Sequence, residues 1–383
     1  MADVVFTFSY VSWEAAAARG WFSPEDRLAS ALLSEPRVAR LLVSDLMRSL
    51  PAKLLRDALA RVRGDAHPFP GDDRHRLLRP VRLRREYPTS IEGVQRACAR
   101  YDRLLERAAG RMGMRSPAVI TANPLMAGFA AFAWAGPVTF LAIDDWLAYP
   151  PHRRWWPAYE ESFARLRAGG RRVAAVSPAA LARIDPSGPA AVIPNGVDPQ
   201  EWAGGGAGAP PWADGLARPL LLYVGSLDRR IDVEAVAALA REFSEGTVLL
   251  VGPLLDPGHL APLRAIANVQ IREPLGRGPV TALIRSADVG LIPHVSSPLT
   301  RAMSPLKLYE YLAAGLPVVA SDLPPLHGVA PDVRLVEPGG DHAAAVHDAL
   351  AAGPAQEPAR QAFLAENSWS RRIEQLLEVA LSA

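Results

Sequence analysis

The chain has 383 residues, of which 49% are apolar, and its formal net charge is +2. This length exceeds what one hydrophobic core usually supports, so we expect two globular domains. The single cysteine, Cys98, excludes an internal disulfide and most thiolate metal sites, and the eight histidines show no metal-ligand spacing. The start, MADVVFTFSY, has neither the basic segment nor the cleavage site of a signal peptide. We therefore expect a cytoplasmic protein without a metal cofactor.

Basic side chains are concentrated in the first half of the chain. Residues 1–198 contain 28 basic and 20 acidic side chains, whereas residues 199–383 contain 14 and 20. A basic first half suits an anionic acceptor, peripheral contact with the inner face of a membrane, or contact with the other half, and the sequence does not choose among them. A nucleic acid partner is not expected, because the arginines lack interleaved aromatic residues and a recognisable binding motif.

Hydrophobic periodicity predicts alternating strands and helices in the first half, with an irregular arginine-rich stretch at 63–86. The predicted strands are 3–8, 38–43, 118–121, 138–143 and 172–176, and the predicted helices are 24–34, 91–113, 125–135 and 157–168. The uncharged stretch 123–143 is long enough to cross a bilayer. Gly136-Pro137 divides it into a helix and a strand, so we do not expect it to span a membrane. The alternation predicts a doubly wound parallel sheet.

The second half repeats this rhythm after a Gly-, Ala- and Pro-rich linker at 199–218. The predicted strands are 220–224, 247–251, 269–272, 288–292 and 317–320, and the predicted helices are 232–243, 259–267, 279–286, 305–314 and 370–381. We expect an N-terminal domain at 1–198, a second α/β domain at 219–366, and a terminal segment, 367–383, that returns towards the first domain. Ligands of such sheets bind beyond the carboxyl ends of the strands.

The most informative motif is SPLKLYEYLAAGLPVVASD at 304–322. Ser304 is a suitable N-cap and Pro305 a suitable first residue, so the helix is predicted to begin at Pro305. Lys307 then lies in the first turn, where the helix dipole disfavours a cation unless an anion such as phosphate binds there. Glu310 follows on the same face, within reach of a hydroxyl of the same ligand. Lys53 and Lys307 are the only lysines, so an ammonium at 307 has a specific purpose unless this is an ordinary solvated helix.

Two further constellations follow predicted strands. In YVGSLDRRID at 223–232, Gly225 allows close approach of the backbone to a ligand, and Arg230 reaches a phosphate unless it pairs with a neighbouring aspartate. Asp144 and Asp145 should emerge at the end of an apolar strand, where they bind a sugar or acceptor hydroxyl or only cap a helix. Glycines 204–206 and 208 follow no strand and are interpreted as linker.

These motifs, together with PNGVD at 194–198, SADVGLIPH at 286–294 and NSW at 367–369, resemble retaining glycosyltransferases of family 4. The resemblance covers about residues 173–372 and is weak over the first 120. It implies the GT-B fold, with two Rossmann-like doubly wound domains that face a central cleft. It also implies a nucleotide-sugar donor in the C-terminal domain, an acceptor in the N-terminal domain, and no metal or other cofactor.

The resemblance also assigns roles to residues of this chain. Glu310 would bind the ribose hydroxyls, while Arg230 and Lys307, with Gly225, Ser226 and the amides near Ser304 and Leu306, would hold the diphosphate. The sequence departs from the family at three positions, listed here with the usual residue in parentheses: Ala302 (Glu), Ser226 (Arg) and Ile231 (Lys). A subgroup with Pro-x-Lys before the glutamate is most similar, so we interpret the site as a functional variant.

The expected reaction is transfer of a sugar, with retention, from a UDP- or GDP-sugar to an acceptor hydroxyl in envelope polysaccharide, glycolipid or secondary-metabolite biosynthesis. Arg230 and Lys307 would stabilise the leaving diphosphate, and Asp144 or Asp145 would orient donor or acceptor. Two alternatives remain open. The chain could be a degenerate, non-catalytic partner protein, or a nucleotide-sugar epimerase that needs no acceptor. The oligomeric state is not predicted.

Overall fold

A computed structural model describes residues 1–18, 20–21, 23–50, 69–83, 86–203 and 208–382. The chain divides into two compact units. Unit 1 comprises Met1–Pro194 and Arg372–Ala383, and unit 2 comprises Asn195–Arg371. The predicted first domain ends at 198 and the predicted terminal segment begins at 367, each within five residues of a limit between the units, whereas the predicted linker 199–218 lies inside unit 2.

The sheet of unit 1 has seven strands, all parallel, in the order β4-β2-β1-β6-β7-β8-β9. Its strands are β1 (Ala2–Thr7), β2 (Val38–Ser44), β4 (His75–Leu78), β6 (Ala118–Thr121), β7 (Val138–Ala142), β8 (Arg172–Ala175) and β9 (Ala190–Val192). A separate parallel pair is formed by β3 (Arg48–Ser49) and β5 (Val81–Arg82). The chain builds the sheet outward from β1 in both directions, so the strand order reverses between β1 and β6.

Helices pack on this sheet through regularly spaced apolar residues. They are α1 (Trp13–Ala18), α2 (Pro24–Leu32), α3 (Ile91–Arg111), α4 (Pro124–Phe129), α5 (Trp156–Ala168) and α6 (Pro178–Ile184), with a 3-10 helix at Pro150–Trp155. The buried face of α3 includes Val94, Cys98, Tyr101 and Leu105 at helical spacing. The Tyr101 hydroxyl reaches the end of β2, where it donates to the carbonyl of Asp45 at 2.6 Å.

The sheet of unit 2 has six parallel strands in the order β12-β11-β10-β13-β14-β15. Its strands are β10 (Leu220–Val224), β11 (Thr247–Val251), β12 (Val269–Arg272), β13 (Val289–Ile292), β14 (Val318–Ser321) and β15 (Val333–Val336). Its helices are α7 (Pro199–Trp202), α8 (Val233–Glu242), α9 (Arg277–Ser286), α10 (Pro298–Ala302), α11 (Leu306–Ala313), α12 (His342–Ala352) and α13 (Glu357–Glu366). The final helix, α14 (Trp369–Leu381), runs from unit 2 into unit 1.

Several predicted elements need correction. The predicted helix 259–267 is only a 3-10 helix at Ala261–Ala265. The stretch 63–86 contains two strands, and its other residues lie partly outside the described part of the chain. The predicted linker begins with α7, whose Trp202 is 2% exposed and anchors the segment in unit 2. Glycines 204–206 are not among the described residues. No helix of the described chain is long and apolar enough to cross a membrane.

Candidate functional site

Two glycines bring the strand ends of unit 2 close together. Gly225 follows β10 with φ at 145°, and Gly252 follows β11 with φ at 152°. A Cβ atom on Gly252 would lie 1.9 Å from the carbonyl oxygen of Gly225, and a Cβ atom on Gly225 would lie 2.9 Å from Nζ of Lys307. Only glycine fits both conformation and space at these positions. The backbone after β10 is therefore open to close approach beside a lysine.

Lys307 lies in the first turn of α11 and is partly buried. Its Nζ donates to the hydroxyl of Tyr223 at 2.9 Å, lies 3.4 Å from Nε2 of His294, and lies 4.0 Å from the centre of the Tyr223 ring. Burial, together with the positive charge of Arg230, lowers the pKa of Lys307 well below its usual 10.5. The ammonium is thus poorly compensated, and a bound anion would stabilise it.

Tyr223 and His294 are partners of Lys307 that the sequence did not identify. Tyr223 is fully buried, and His294 is 2% exposed. The Tyr223 hydroxyl lies 3.1 Å from Nε2 of His294 and 3.1 Å from the carbonyl oxygen of Ser226. Burial lowers the pKa of His294 well below its usual value, and the positive charges of Lys307 and Arg230 lower it further. A neutral imidazole can accept a hydrogen bond from Lys307 without adding another cation beside it.

Arg230 forms a bidentate ion pair with Asp228. Its Nε and Nη2 lie 2.9 and 2.8 Å from the two carboxylate oxygens, and its backbone N–H also donates to Asp228. Burial raises the pKa of the Asp228 carboxyl, but the hydrogen bonds from Arg230 outweigh it and lower the pKa overall. The aspartate pair, which the sequence left open as an alternative, is thus present. Its geometry fixes the guanidinium beside the lysine.

Glu310 lies one turn after Lys307 and is 6% exposed. Its carboxylate pairs with the guanidinium of Arg277, which also donates through Nε to Glu201 at 2.8 Å. Burial alone would lower the pKa of Arg277, but the carboxylates of Glu310 and Glu201 raise it overall. Arg277 and Glu201 were not predicted as site residues, since nothing in the local sequence links them to Glu310.

The start of α11 differs from the prediction. Pro305 has ψ at 112°, outside the helical region, so the helix begins at Leu306. Ser304 does not cap this helix; its Oγ accepts from the backbone N–H of Asn195 at 3.2 Å. Ser304 therefore ties the PNGVD segment to the loop before α11, and the amides of Leu306 and Lys307 lie at the helix N-terminus, where intrahelical partners are missing. Ala302, at the position of a usual glutamate, is buried.

Asp144 and Asp145 belong to unit 1 and follow β7. Asp145 is 6% exposed, and its carboxylate accepts from the backbone N–H of Leu147 at 3.0 Å. The carboxylate of Asp144 accepts from the N–H of Asp145 at 2.9 Å. Burial raises the pKa of Asp145. Both carboxylates accept backbone N–H groups of a turn after β7, which is a local role different from the helix cap considered as their alternative.

Within unit 2, the structure brings together Gly225, Ser226, Arg230, Lys307 and the amides that follow Ser304. Two fixed cations at the N-terminus of a helix form a favourable environment for a phosphate group. Glu310 offers a carboxylate one turn away, held by Arg277. Among the described residues, no group of three or more His, Cys, Asp or Glu side chains is placed to bind a metal ion.

The match of this chain to a protein-family profile lies within unit 2. Residues 218–352 match the profile of the family described as glycosyl transferases group 1. A relative named as a teichuronic acid biosynthesis glycosyltransferase, TuaH of Bacillus subtilis (strain 168), is 33% identical over 107 residues. That alignment spans 27% of this chain and 27% of the relative, so the chain matches about a quarter of that protein's length.

Solved structures resemble the entire chain. Trehalose 6-phosphate synthase from Burkholderia multivorans has a TM-score of 0.69 at 16% identity, covering 100% of this chain and 99% of that one. Sucrose-phosphate synthase from Thermosynechococcus elongatus has a TM-score of 0.65 at 18% identity, covering 98% and 97%. Anabaena HepE in complex with UDP has a TM-score of 0.65 at 14% identity and full coverage of both chains. At these identities the likeness is one of fold, and it confirms the expected GT-B fold.

Proposed function

Because residues 218–352 carry the domain of the glycosyl transferases group 1, we propose that this protein transfers a sugar from a nucleoside diphosphate sugar to an acceptor hydroxyl. The observation that carries the proposal is the Lys307–Arg230 cluster at the carboxyl edge of the family-matched sheet. Both cations are held in place by protein side chains, Lys307 by Tyr223 and Arg230 by Asp228. Preorganised cations of this kind stabilise a leaving diphosphate in the transition state.

The finer points of the reaction are part of this proposal. We propose a UDP- or GDP-sugar as donor, retention at the anomeric carbon, and no metal ion, with the charge of the diphosphate balanced by Lys307 and Arg230. The name of the Bacillus subtilis relative supports an envelope polysaccharide or its lipid-linked precursor as acceptor. The single cysteine and the basic first half support a cytoplasmic location with peripheral contact at the inner face of the membrane.

In this reaction the chain's residues bind, orient and stabilise charge. Lys307, Arg230 and the first amides of α11 would hold the diphosphate, and Glu310 would accept hydrogen bonds from the ribose hydroxyls. As the bond between the sugar and the diphosphate breaks, negative charge grows on the phosphate oxygen nearest Lys307 and Arg230. The acceptor hydroxyl then attacks from the same face and gives its proton to that oxygen, so no protein base is required.

Nucleotide binding is the first test of this proposal. Thermal shift and calorimetry with UDP, GDP, dTDP and ADP should identify one nucleotide that stabilises the protein by mass action. We expect Lys307→Ala to weaken its binding about tenfold and to lower turnover at least about tenfold, since one charge-assisted hydrogen bond to the leaving group is lost. Arg241→Ala, on the exposed face of α8, is the matched control. Wild-type binding and turnover in Lys307→Ala would exclude the phosphate role, and absence of any nucleotide binding would favour a non-catalytic partner protein.

The lowered pKa of Lys307 adds a pH dependence with a defined sign. As pH rises through that lowered value, the free protein loses the ammonium, so nucleotide affinity should fall at a pH below the usual 10.5 of lysine. A bound diphosphate favours the charged lysine, so binding should take up protons in this range. Lys307→Arg should abolish the fall, because a guanidinium stays protonated. Identical pH profiles of the wild type and Lys307→Arg at every pH below the usual 10.5 of lysine would contradict this assignment.

A further inference from the structure

Unit 1 contains a cavity of about 430 Å³ at the carboxyl edge of its sheet. Tyr10 reaches it after β1, Met47 after β2, and Asn123 after β6. These three strands are neighbours, and the strand order reverses between β1 and β6. Open parallel sheets bind ligands at such a reversal, and the volume lies within the range of small-molecule sites. The position and the volume of the cavity therefore both suit a ligand about as large as a sugar.

The charged residues around this cavity are mostly basic. Arg48, Arg82 and Arg154 line it, and Glu86 is the acidic residue among its described lining. Pairing of β3 with β5 places the backbones of Arg48 and Arg82 on adjacent strands. Arg82 is partly buried, and this burial lowers its pKa. A guanidinium so shielded from water interacts more strongly with an anion than an exposed one does.

Aromatic rings form much of the remaining wall. Tyr10, Tyr87 and Trp155 line the cavity, and the guanidinium of Arg154 stacks on Trp155 at 4.0 Å from the ring centre. Trp155 is fixed by a hydrogen bond from its indole N–H to the carbonyl of Pro88 at 3.0 Å. Rigid aromatic faces offer apolar contact to one side of a ring-shaped ligand while its polar groups face elsewhere.

We propose that this cavity binds the acceptor, and that the acceptor is a sugar bearing a negatively charged group, a phosphate or a carboxylate, bound by Arg48, Arg82 and Arg154. The inference rests on the proposed function, since it assigns the acceptor of that reaction. Two features act together: the aromatic rings of the wall contact the sugar ring, and the guanidinium groups bind the negatively charged group. A neutral sugar would contact the aromatic walls but would offer no negative charge to the guanidinium groups.

Saturation-transfer NMR on the full chain can test this with three probes: glucose 6-phosphate, glucuronate and glucose. We expect at least one anionic probe to bind about tenfold more tightly than glucose, because a charge-assisted bidentate hydrogen bond is added. Comparison of the affinities of glucose 6-phosphate and glucuronate then shows whether the site prefers a phosphate or a carboxylate. Arg48→Gln and Arg82→Gln should each reduce this preference about fivefold or more. Arg107→Gln, exposed on α3, should leave it unchanged.

Equal binding of glucose and both anionic probes by the wild-type protein would overturn the inference, even if the arginine variants fail to fold. A loss in Arg107→Gln as large as in Arg48→Gln would also overturn it, since the effect would then be one of general charge. Nucleotide binding measured on the same samples separates the two proposals. Protein that binds nucleotide but shows no anionic preference overturns only the acceptor assignment. Protein that shows the anionic preference but binds no nucleotide overturns the proposed function, and the cavity is then an anion-binding site and not an acceptor site.

Discussion

The carboxyl edges of the two sheets use buried charge in different ways. In unit 1, buried carboxylates bind backbone: Glu25 accepts from the N–H of Ser9 at 2.7 Å, and Asp45 accepts from the N–H of Trp13 at 2.8 Å. In unit 2, carboxylates pair with cations: Asp228 pairs with the guanidinium of Arg230 while also accepting its backbone N–H, and Glu310 pairs with Arg277. A carboxylate that holds backbone cannot leave it without disturbing the loop.

This difference separates structural charge from charge available to a ligand. An ion pair of two side chains can be rearranged when a phosphate or hydroxyl enters, because each member keeps a partner. We therefore expect substitutions at the edge of unit 2 to change nucleotide binding, and substitutions of buried carboxylates in unit 1 to change mainly stability. The following experiments would sharpen or break that contrast.

The largest effect is expected at Gly252. Its φ of 152° is unfavourable for any other residue, and a Cβ would meet the carbonyl oxygen of Gly225 at 1.9 Å. Gly252→Ala should therefore lower the free energy of unfolding by about 3 kcal/mol. Gly215→Ala, where a Cβ meets nothing within 4 Å, is the control. Urea denaturation measures both, and a loss under about 0.5 kcal/mol for Gly252→Ala would mean that the strand ends are not packed as described.

A smaller effect is expected at Arg277. Arg277→Gln leaves Glu310 and Glu201 without their counter-charge, so stability should fall by about 2 kcal/mol. The nucleotide dissociation constant should rise about tenfold, because the carboxylate of Glu310 is no longer oriented. Calorimetry and urea denaturation measure the two quantities.

Two variants test this interpretation of Arg277. Combining Arg277→Gln with Glu310→Gln should recover part of the lost stability but not the affinity, since the buried unpaired charge disappears while the hydroxyl acceptor stays altered. Arg277→Lys keeps the charge and should lie between wild type and Arg277→Gln. Unchanged affinity in both Arg277 variants would show that the pair is structural, as in unit 1.

Much of the fold was predictable because its signals are local. Strands 118–121, 220–224, 247–251 and 269–272 were predicted at their observed residues, since the first three are mainly apolar runs and the fourth alternates apolar and polar residues. The proximity of Lys307 and Glu310 followed from helical spacing alone. The start of α11 was wrong by one residue: Ser304, which was expected to cap the helix, accepts instead from the N–H of Asn195, more than a hundred residues away in sequence.

The partners within the sites were not predictable for the same reason. Arg277 pairs with Glu310 across 33 residues, and Lys307 meets Tyr223 across 84. The cavity of unit 1 gathers residues from Tyr10 to Trp155. Such groups of residues come together only when the strands assemble into a sheet. The composition therefore indicated only the excess of basic side chains in the first half. The resemblance could assign donor-binding residues because the motifs on which it rests are short stretches of sequence.

The smallest effect is expected at Asp145, where the two roles of a buried carboxylate can be separated. Asp145→Ala removes the acceptor of the Leu147 N–H and should cost about 1 kcal/mol of stability, whereas Asp145→Asn keeps an oxygen there and should cost less. Both should bind nucleotide as the wild type does, and Asp145→Asn should keep turnover within about threefold. A tenfold loss of turnover in Asp145→Asn at unchanged stability would instead assign Asp145 a part in the reaction. Unit 1 would then use a buried carboxylate for chemistry as well as for structure, and the contrast between the two sheet edges would fail at this residue.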